Sequence, residues 1–225
     1  MVAKPSGLPV HRSAMVNERR TLIRIAKRQF GASVAPVHRL DRATSGCLLL
    51  SRDAATTARL QAAMARGTKR YLAFVRGAVR DFDEMHVTTP VKDERKGLQS
   101  AESYIRPVGT SQDPRCSLLL VRPITGRNHQ VRRHCRDLHH PVIGDGQHGD
   151  TRVNRWWREH YAMPRLGLHC LSMSLETDED GVVDATCPVP PDLMAVFEQM
   201  PWFDHAVREV PEMLSPAAHG RDAES

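Results

Sequence analysis

The stretch His38-Arg39-Leu40-Asp41-Arg42-Ala43-Thr44-Ser45-Gly46 sets one carboxylate among arginines at 39 and 42. A carboxylate in that company can attack or stabilise an electron-poor carbon, with an arginine keeping it ionised and aimed. The plainer reading is an Asp41 paired with Arg39 or Arg42 in a surface turn. Thr44, Ser45 and Gly46 read as turn residues, because hydroxyls bond nearby backbone and glycine accepts positive φ. The apolar run Leu48-Leu49-Leu50 then reads as a strand buried on both faces. A charged loop held on such a strand is a common seat of chemistry.

A second stretch, Pro123-Ile124-Thr125-Gly126-Arg127-Asn128-His129-Gln130-Val131-Arg132-Arg133-His134, turns from the strand at 117–121 into a basic helix. A Thr-Gly turn before such a helix presents backbone N–H and guanidinium groups together, which suits phosphate. A basic helix merely facing water has the same pattern. Lys69-Arg70-Tyr71-Leu72-Ala73-Phe74-Val75-Arg76-Gly77 alternates as a half-buried strand does. Tyr71 is then either a packed core residue or a surface for stacking. His129, His134, Cys135, His139 and His140 raise the question of a metal, but no set among them has structural-zinc spacing, and no metal ligand is assigned.

The elements that position these stretches can be read in outline. Leu22, Ile25, Ala26 and Phe30 fall at helical spacing within 17–30, with Gly31 as the C′ residue. Asp53 caps a second helix carrying Leu60, Ala63 and Met64. Residues 78–114 read as loops and short strands around the mixed cluster Lys92, Asp93, Glu94, Arg95 and Lys96, a solvated loop or a contact for RNA backbone. Leu168 to Leu175 and Asp184 to Pro188 read as strands, and Pro191 to Met200 as a helix. After Phe203 the chain runs into proline, alanine, glycine and charge, and 204–225 is expected to be a flexible tail.

A chain of 225 residues is about one domain and can bury a core without staples. Its 32 Lys and Arg against 26 Asp and Glu, a net charge of +6 and a pI near 9.4 favour a polyanionic partner. The five cysteines are odd in number and widely spread, as in reduced cytoplasmic proteins. No apolar run approaches the roughly 18 residues a membrane span needs, so no membrane partner is expected.

His38-Arg39-Leu40-Asp41, the Thr-Ser-Gly after it and the apolar run resemble the signature of the RluA-type pseudouridine synthases. Further segments resemble that family in order. Lys4-Pro5-Ser6-Gly7 is similar to its first motif, and residues 69–77 to its Lys-x-Tyr-x-Ala-x-Val-x-Gly strand. Residues 125–134 are similar to Thr-Gly-Arg-x-His-Gln-Val-Arg-x-His, followed by a small β segment at Pro141-Val142-Ile143-Gly144-Asp145. Leu168-His169-Cys170 resembles the closing Leu-His-Ala strand, with Cys170 in place of alanine. The run from His148-Gly149-Asp150 through Asn154-Arg155-Trp156-Trp157-Arg158-Glu159-His160 narrows the resemblance to members that act on tRNA. Its adjacent tryptophans either meet RNA or pin a helix to the core.

The resemblance, spanning about 4–200, implies an α+β fold: a mixed, largely antiparallel central sheet flanked by helices and loops around a basic RNA-binding cleft. It implies one catalytic domain over 1–203 without an S4-like domain. In the family a strand precedes the first motif; here Met1-Val2-Ala3 remain, so that strand is expected to be missing. The implied reaction turns uridine into pseudouridine with no cofactor. Asp41 is then the catalytic carboxylate, Arg127 lies beside it and braces the RNA, and Tyr71 stacks on the uracil and is a candidate for the C5 proton. Leu168 walls the pocket, and Arg39, Arg42, His129 and Arg132 bind substrate. The expected target is uridine 65 in the T stem of tRNA, met by a cytoplasmic monomer. The alternatives are an rRNA uridine and a non-catalytic RNA-binding module of the same fold.

Overall fold

In the computed structural model the apolar runs at 72–75 and 118–121 lie side by side, antiparallel, in the middle of one sheet. The structure describes residues 1–12, 20–80, 83–93, 97–179 and 181–214. In chain order these form β1 (Val2–Lys4), α1 (Leu22–Phe30), β2 (Ala35–Pro36), β3 (Ser45–Leu48), β4 (Leu50–Ser51), α2 (Ala54–Met64), β5 (Thr68–Arg76) and β6 (Met85–Val87). There follow β7 (Val91–Asp93), β8 (Gly97–Gln99), β9 (Ser103–Gln112), β10 (Arg115–Pro123), α3 (Gln130–Asp137), α4 (Thr151–Tyr161), β11 (Leu168–Thr177), β12 (Gly181–Thr186), α5 (Pro191–Phe197) and α6 (Phe203–Glu209). A short 3-10 turn at Pro211–Met213 closes the described chain.

The sheet runs β1-β3-β11-β5-β10-β9-β6, with β12 also on β11. Among the described residues only the β3–β11 pairing is parallel, so the sheet is mixed and largely antiparallel, as the resemblance implies. Successive residues of β5 point to opposite faces. Ala73 and Val75 meet Val131 and Cys135 of α3 on one side. Leu72 and Phe74 meet Trp157 of α4 and the α5 and α6 helices on the other. Phe74 stands edge-on to Trp157 at 5.1 Å, Phe197 at 5.4 Å and Trp202 at 5.8 Å, contacts each worth about 1 kcal/mol beyond their buried area. This two-sided core makes β5 and β10 rigid, and the loops at their ends inherit that rigidity.

Several expectations change. Ser45 and Gly46 belong to strand β3 rather than to a turn. Gly46, at φ 120°, lies so close to β11 that a Cβ would sit 2.1 Å from the Cys170 carbonyl oxygen. At the end of the sheet order lies β1, whose Val2, Ala3 and Lys4 pair with Leu48, Cys47 and Gly46. Residues 78–114 contain the ten-residue strand β9. The helix expected over 17–30 begins after Thr21, whose hydroxyl accepts the Arg24 N–H, while 13–19 lie outside the described residues. Residues 204–214 are not a tail: Ala206, Val210 and Met213 are fully buried against the sheet, and the Val189 N–H donates to the Met213 carbonyl. Their i, i+4, i+7 spacing is an apolar helical stripe that the surrounding charge obscures. Residues 215–225 lie outside the described residues.

Candidate active site

Asp41 sits in the loop between β2 and β3, and the turn at Lys4-Pro5-Ser6-Gly7 holds that loop. The Gly7 N–H donates to the Arg42 carbonyl at 2.8 Å, and the Ser6 hydroxyl to the Ala43 carbonyl at 2.6 Å. Lys4 is 1% exposed, and its ammonium donates to the carbonyls of Pro5, Leu8 and Arg42. Burial pulls the Lys4 pKa down to about 8 against the raising influence of Asp41. Arg42 turns back to the Gly7 carbonyl at 3.0 Å. Expected to hold substrate, it instead helps fix the loop and is not part of the cavity lining.

The carboxylate of Asp41 opens into a cavity of about 350 Å³ lined by Arg39, Tyr71, Arg127, His129, Arg132 and Leu168, among others. That is within the usual range of small-ligand sites, about 300–1,000 Å³. One Asp41 oxygen lies 3.3 Å from Arg132 Nη1 and 3.7 Å from His129 Nε2. Arg132 is itself buried and held by a fork: Nε donates to Asp145 Oδ2 and Nη2 to Asp145 Oδ1, both at 2.7 Å. Nη2 also reaches Gln147 Oε1 at 3.2 Å. Asp145 is fully buried, which would raise its pKa, but Arg132 and the backbone N–H groups of His148 and Gln147 hold it down at about 2.

The guanidinium beside Asp41 is therefore that of Arg132, not of Arg127. Arg132 lies in the first turn of α3, next to Val131 and ahead of Cys135, which pack on the sheet, so its stem enters the protein. Arg127 lies in the exposed turn before the helix, where its Nε donates to the Ser100 carbonyl at 2.8 Å on the cavity rim. Gln130 fixes this turn, accepting from Thr125 Oγ1 and the Arg127 N–H while donating to the Glu102 carbonyl and Ser103 Oγ.

Tyr71 and Leu168 face the cavity from β5 and β11, which are antiparallel neighbours. Tyr71 is half-buried, and burial, followed by the neighbouring Cys170, pushes its phenol well above the ordinary range. The two tryptophans divide: one pins the helix to the core and the other faces outward. Trp157 is 2% exposed in the core, whereas Trp156 is 40% exposed and stacked on His160 at 4.6 Å. Of the histidines considered for a metal, His134 bonds Ser103 Oγ and the Thr89 carbonyl, and His140 bonds the Arg76 carbonyl. Lys92 receives an Arg133 Nη1 bond on its carbonyl; Glu94, Arg95 and Lys96 lie outside the described residues.

Sequence reasoning assigned no role to Lys4, Asp145 or His148. A signal existed for Asp145, since an arginine on the inward side of a helix needs a carboxylate and Asp145 closes the next apolar segment. Asn154 of α4 completes the support, accepting from the Gly144 N–H and donating to the Asp145 carbonyl.

A model of the RNA pseudouridylate synthase family matches residues 1–137. The tRNA pseudouridine synthase C of Salmonella typhi is 37% identical over 196 residues, 77% of this chain and 75% of its own. That of Vibrio vulnificus is 33% identical over an alignment of 242 residues, 97% of this chain and 95% of its own. Among solved structures, human RNA pseudouridylate synthase domain containing 1 superposes with a TM-score of 0.65 at 23% identity, over 81% of this chain and 83% of its own. Human RNA pseudouridylate synthase domain containing 4 gives 0.65 at 18% identity, over 94% and 88%. At these identities the structural likeness is one of fold.

Proposed function

This chain belongs to the RNA pseudouridylate synthase family, and from that premise we propose that it isomerises uridine 65 in the T stem of tRNA to pseudouridine. As a family member it is an isomerase acting on RNA. The narrower substrate rests on its likeness to the tRNA enzymes over nearly the whole chain.

The observation that carries the reading is the Asp41 carboxylate, open to the cavity yet fixed by a buried Arg132–Asp145 fork. A stacked uridine must first leave the stem, which costs a few kcal/mol. Exposed Arg39 and Arg127 at the rim meet phosphates, while Arg132 and His129 meet the extruded nucleotide. Leu168 and Tyr71 then enclose the uracil. The Asp41 carboxylate attacks or stabilises the ribose carbon as the bond to N1 breaks. The uracil turns, C5 bonds to that carbon, and the C5 proton leaves. Tyr71 remains a neutral phenol, so it supplies a stacking face and a hydrogen-bond donor and is a poor base.

In this reading the enzyme works as a monomer and in the cytoplasm, the latter supported by five free, buried thiols. None of the helices among the described residues is long and apolar enough to cross a membrane. Mapping modified uridines in tRNA and rRNA from a strain lacking the gene tests the substrate. Loss of pseudouridine at the T-stem position alone is expected; loss at an rRNA position instead would redirect the assignment.

A further inference from the structure

We infer that His129, backed by His148, accepts the C5 proton at the end of the reaction and passes it to solvent. The inference rests on the functional reading above. Joining C1′ to C5 leaves C5 holding both its hydrogen and the ribose carbon, and only breaking the C5–H bond returns its electron pair to the ring. Some group on the cavity wall must take that proton. Tyr71 is protonated, and one oxygen of Asp41 is engaged by Arg132. His129 lines the same cavity, with Nε2 3.7 Å from Asp41 Oδ2, and its Nδ1 lies 3.0 Å from His148 Nε2.

The backbone fixes this ring. His129 has φ 54° and ψ 25°, a left-handed conformation uncommon outside glycine, at the residue that opens α3. The turn before it is pinned by Gln130, and the partner ring is pinned through the His148 N–H on Asp145 Oδ1. The two rings meet edge to face, with centroids 5.2 Å apart.

Their charge state suits the task. Burial disfavours the His129 imidazolium, with Arg132 and Arg133 reinforcing and Asp41 and Asp145 opposing. Burial brings His148 to about 4, with Asp145 opposing and Arg132, His129 and Arg133 reinforcing. Both rings are therefore neutral at physiological pH. The role requires the tautomer in which His129 Nδ1–H donates to His148 Nε2, 3.0 Å away, and the His129 Nε2 lone pair faces the cavity. As the C5 proton reaches His129 Nε2, directly or by way of Asp41, the Nδ1 proton moves to His148 Nε2. The proton on His148 Nδ1 goes to water at its partly exposed ring. The base loses its C5 proton to water and N1 takes one proton from water, so the isomerisation releases no net proton and nothing is oxidised.

The test uses His129→Gly, which the positive φ accommodates, and His148→Phe, with tRNA carrying hydrogen or deuterium at C5. Wild type is expected to show little C5 isotope effect. At saturating tRNA, His129→Gly should turn over about a hundredfold more slowly, the low end of general-base contributions, with a clear C5 isotope effect and recovery on adding imidazole. His148→Phe should slow turnover less and make the rate depend on buffer concentration. Wild-type rates in both variants, or slow turnover with neither isotope effect nor imidazole recovery, would overturn the inference and leave the function standing. No turnover of any RNA by wild type would overturn both.

Discussion

Arg132 joins two carboxylates that differ in almost every respect: Asp145 at 2.7 Å, fully buried, and Asp41 at 3.3 Å, open to the cavity. The bidentate pair sets the guanidinium plane, and the remaining Nη1 sets the direction of Asp41. Replacing Arg132 with Lys keeps the charge but loses the fork. Leaving Asp145 poorly paired should cost about 3–5 kcal/mol of stability and most of the turnover. Urea unfolding and tritium release on the same preparation would check both.

Asp145 also predicts a pH dependence. Its pKa is about 2 in the folded protein against an ordinary 3.8, so the stability it contributes is full above pH 4 and is lost as pH falls toward 2. The amount is about 2 kcal/mol. Urea midpoints of wild type and Asp145→Asn, followed from pH 6 to pH 2, should differ most at the upper end and converge at the lower.

Lys4 gives a slope of the same sign in a higher pH window. Its folded pKa of about 8 lies below the ordinary 10.5, so the unfolded chain binds more protons between those values and this group makes stability rise with pH there. Lys4→Met should lack that rise. It should also lose turnover, because the Arg42 carbonyl next to Asp41 loses its ammonium partner.

Tyr71→Phe removes a hydroxyl that burial keeps protonated and should retain turnover within about tenfold, whereas Tyr71→Ala removes the stacking face, worth about 1–3 kcal/mol per base. Single-turnover rates would distinguish them; equal losses would point to the hydroxyl as the working group.

Ser45 and His169 make a buried pair on adjacent parallel strands. The Cys187 carbonyl takes the His169 Nε2–H at 2.7 Å, so Nδ1 accepts from the Ser45 hydroxyl at 2.9 Å. Ser45→Ala leaves that nitrogen unsatisfied and should lower stability by about 1–3 kcal/mol in denaturant titrations.

The main strands and helices were legible because their apolar periodicity agrees with their burial: β5, β10 and β11 alternate or run apolar, and Asp53 caps α2 as its position suggests. β9 was hidden because Pro107 and Gly109 interrupt it. Its register on β10 shifts there, with Leu118 opposite Gly109 and Leu119 opposite Pro107. A Cβ on Gly109 would lie 2.8 Å from the Trp202 ring, a contact between elements far apart in sequence. The site was legible to the level of which residues gather, since Asp41, Tyr71, Arg127 and Leu168 do line one cavity. Which arginine meets Asp41 was not legible, because it depends on where α3 begins and on the buried partner Asp145.

Tritium release from tRNA labelled at uracil C5 tests the central claim most directly, because bonding the ribose to C5 expels that hydrogen. Wild type should release tritium in proportion to pseudouridine formed, and Asp41→Asn should bind the same tRNA and release none. Release by the Asn variant at the wild-type rate would contradict the role given to Asp41 and the mechanism built on it.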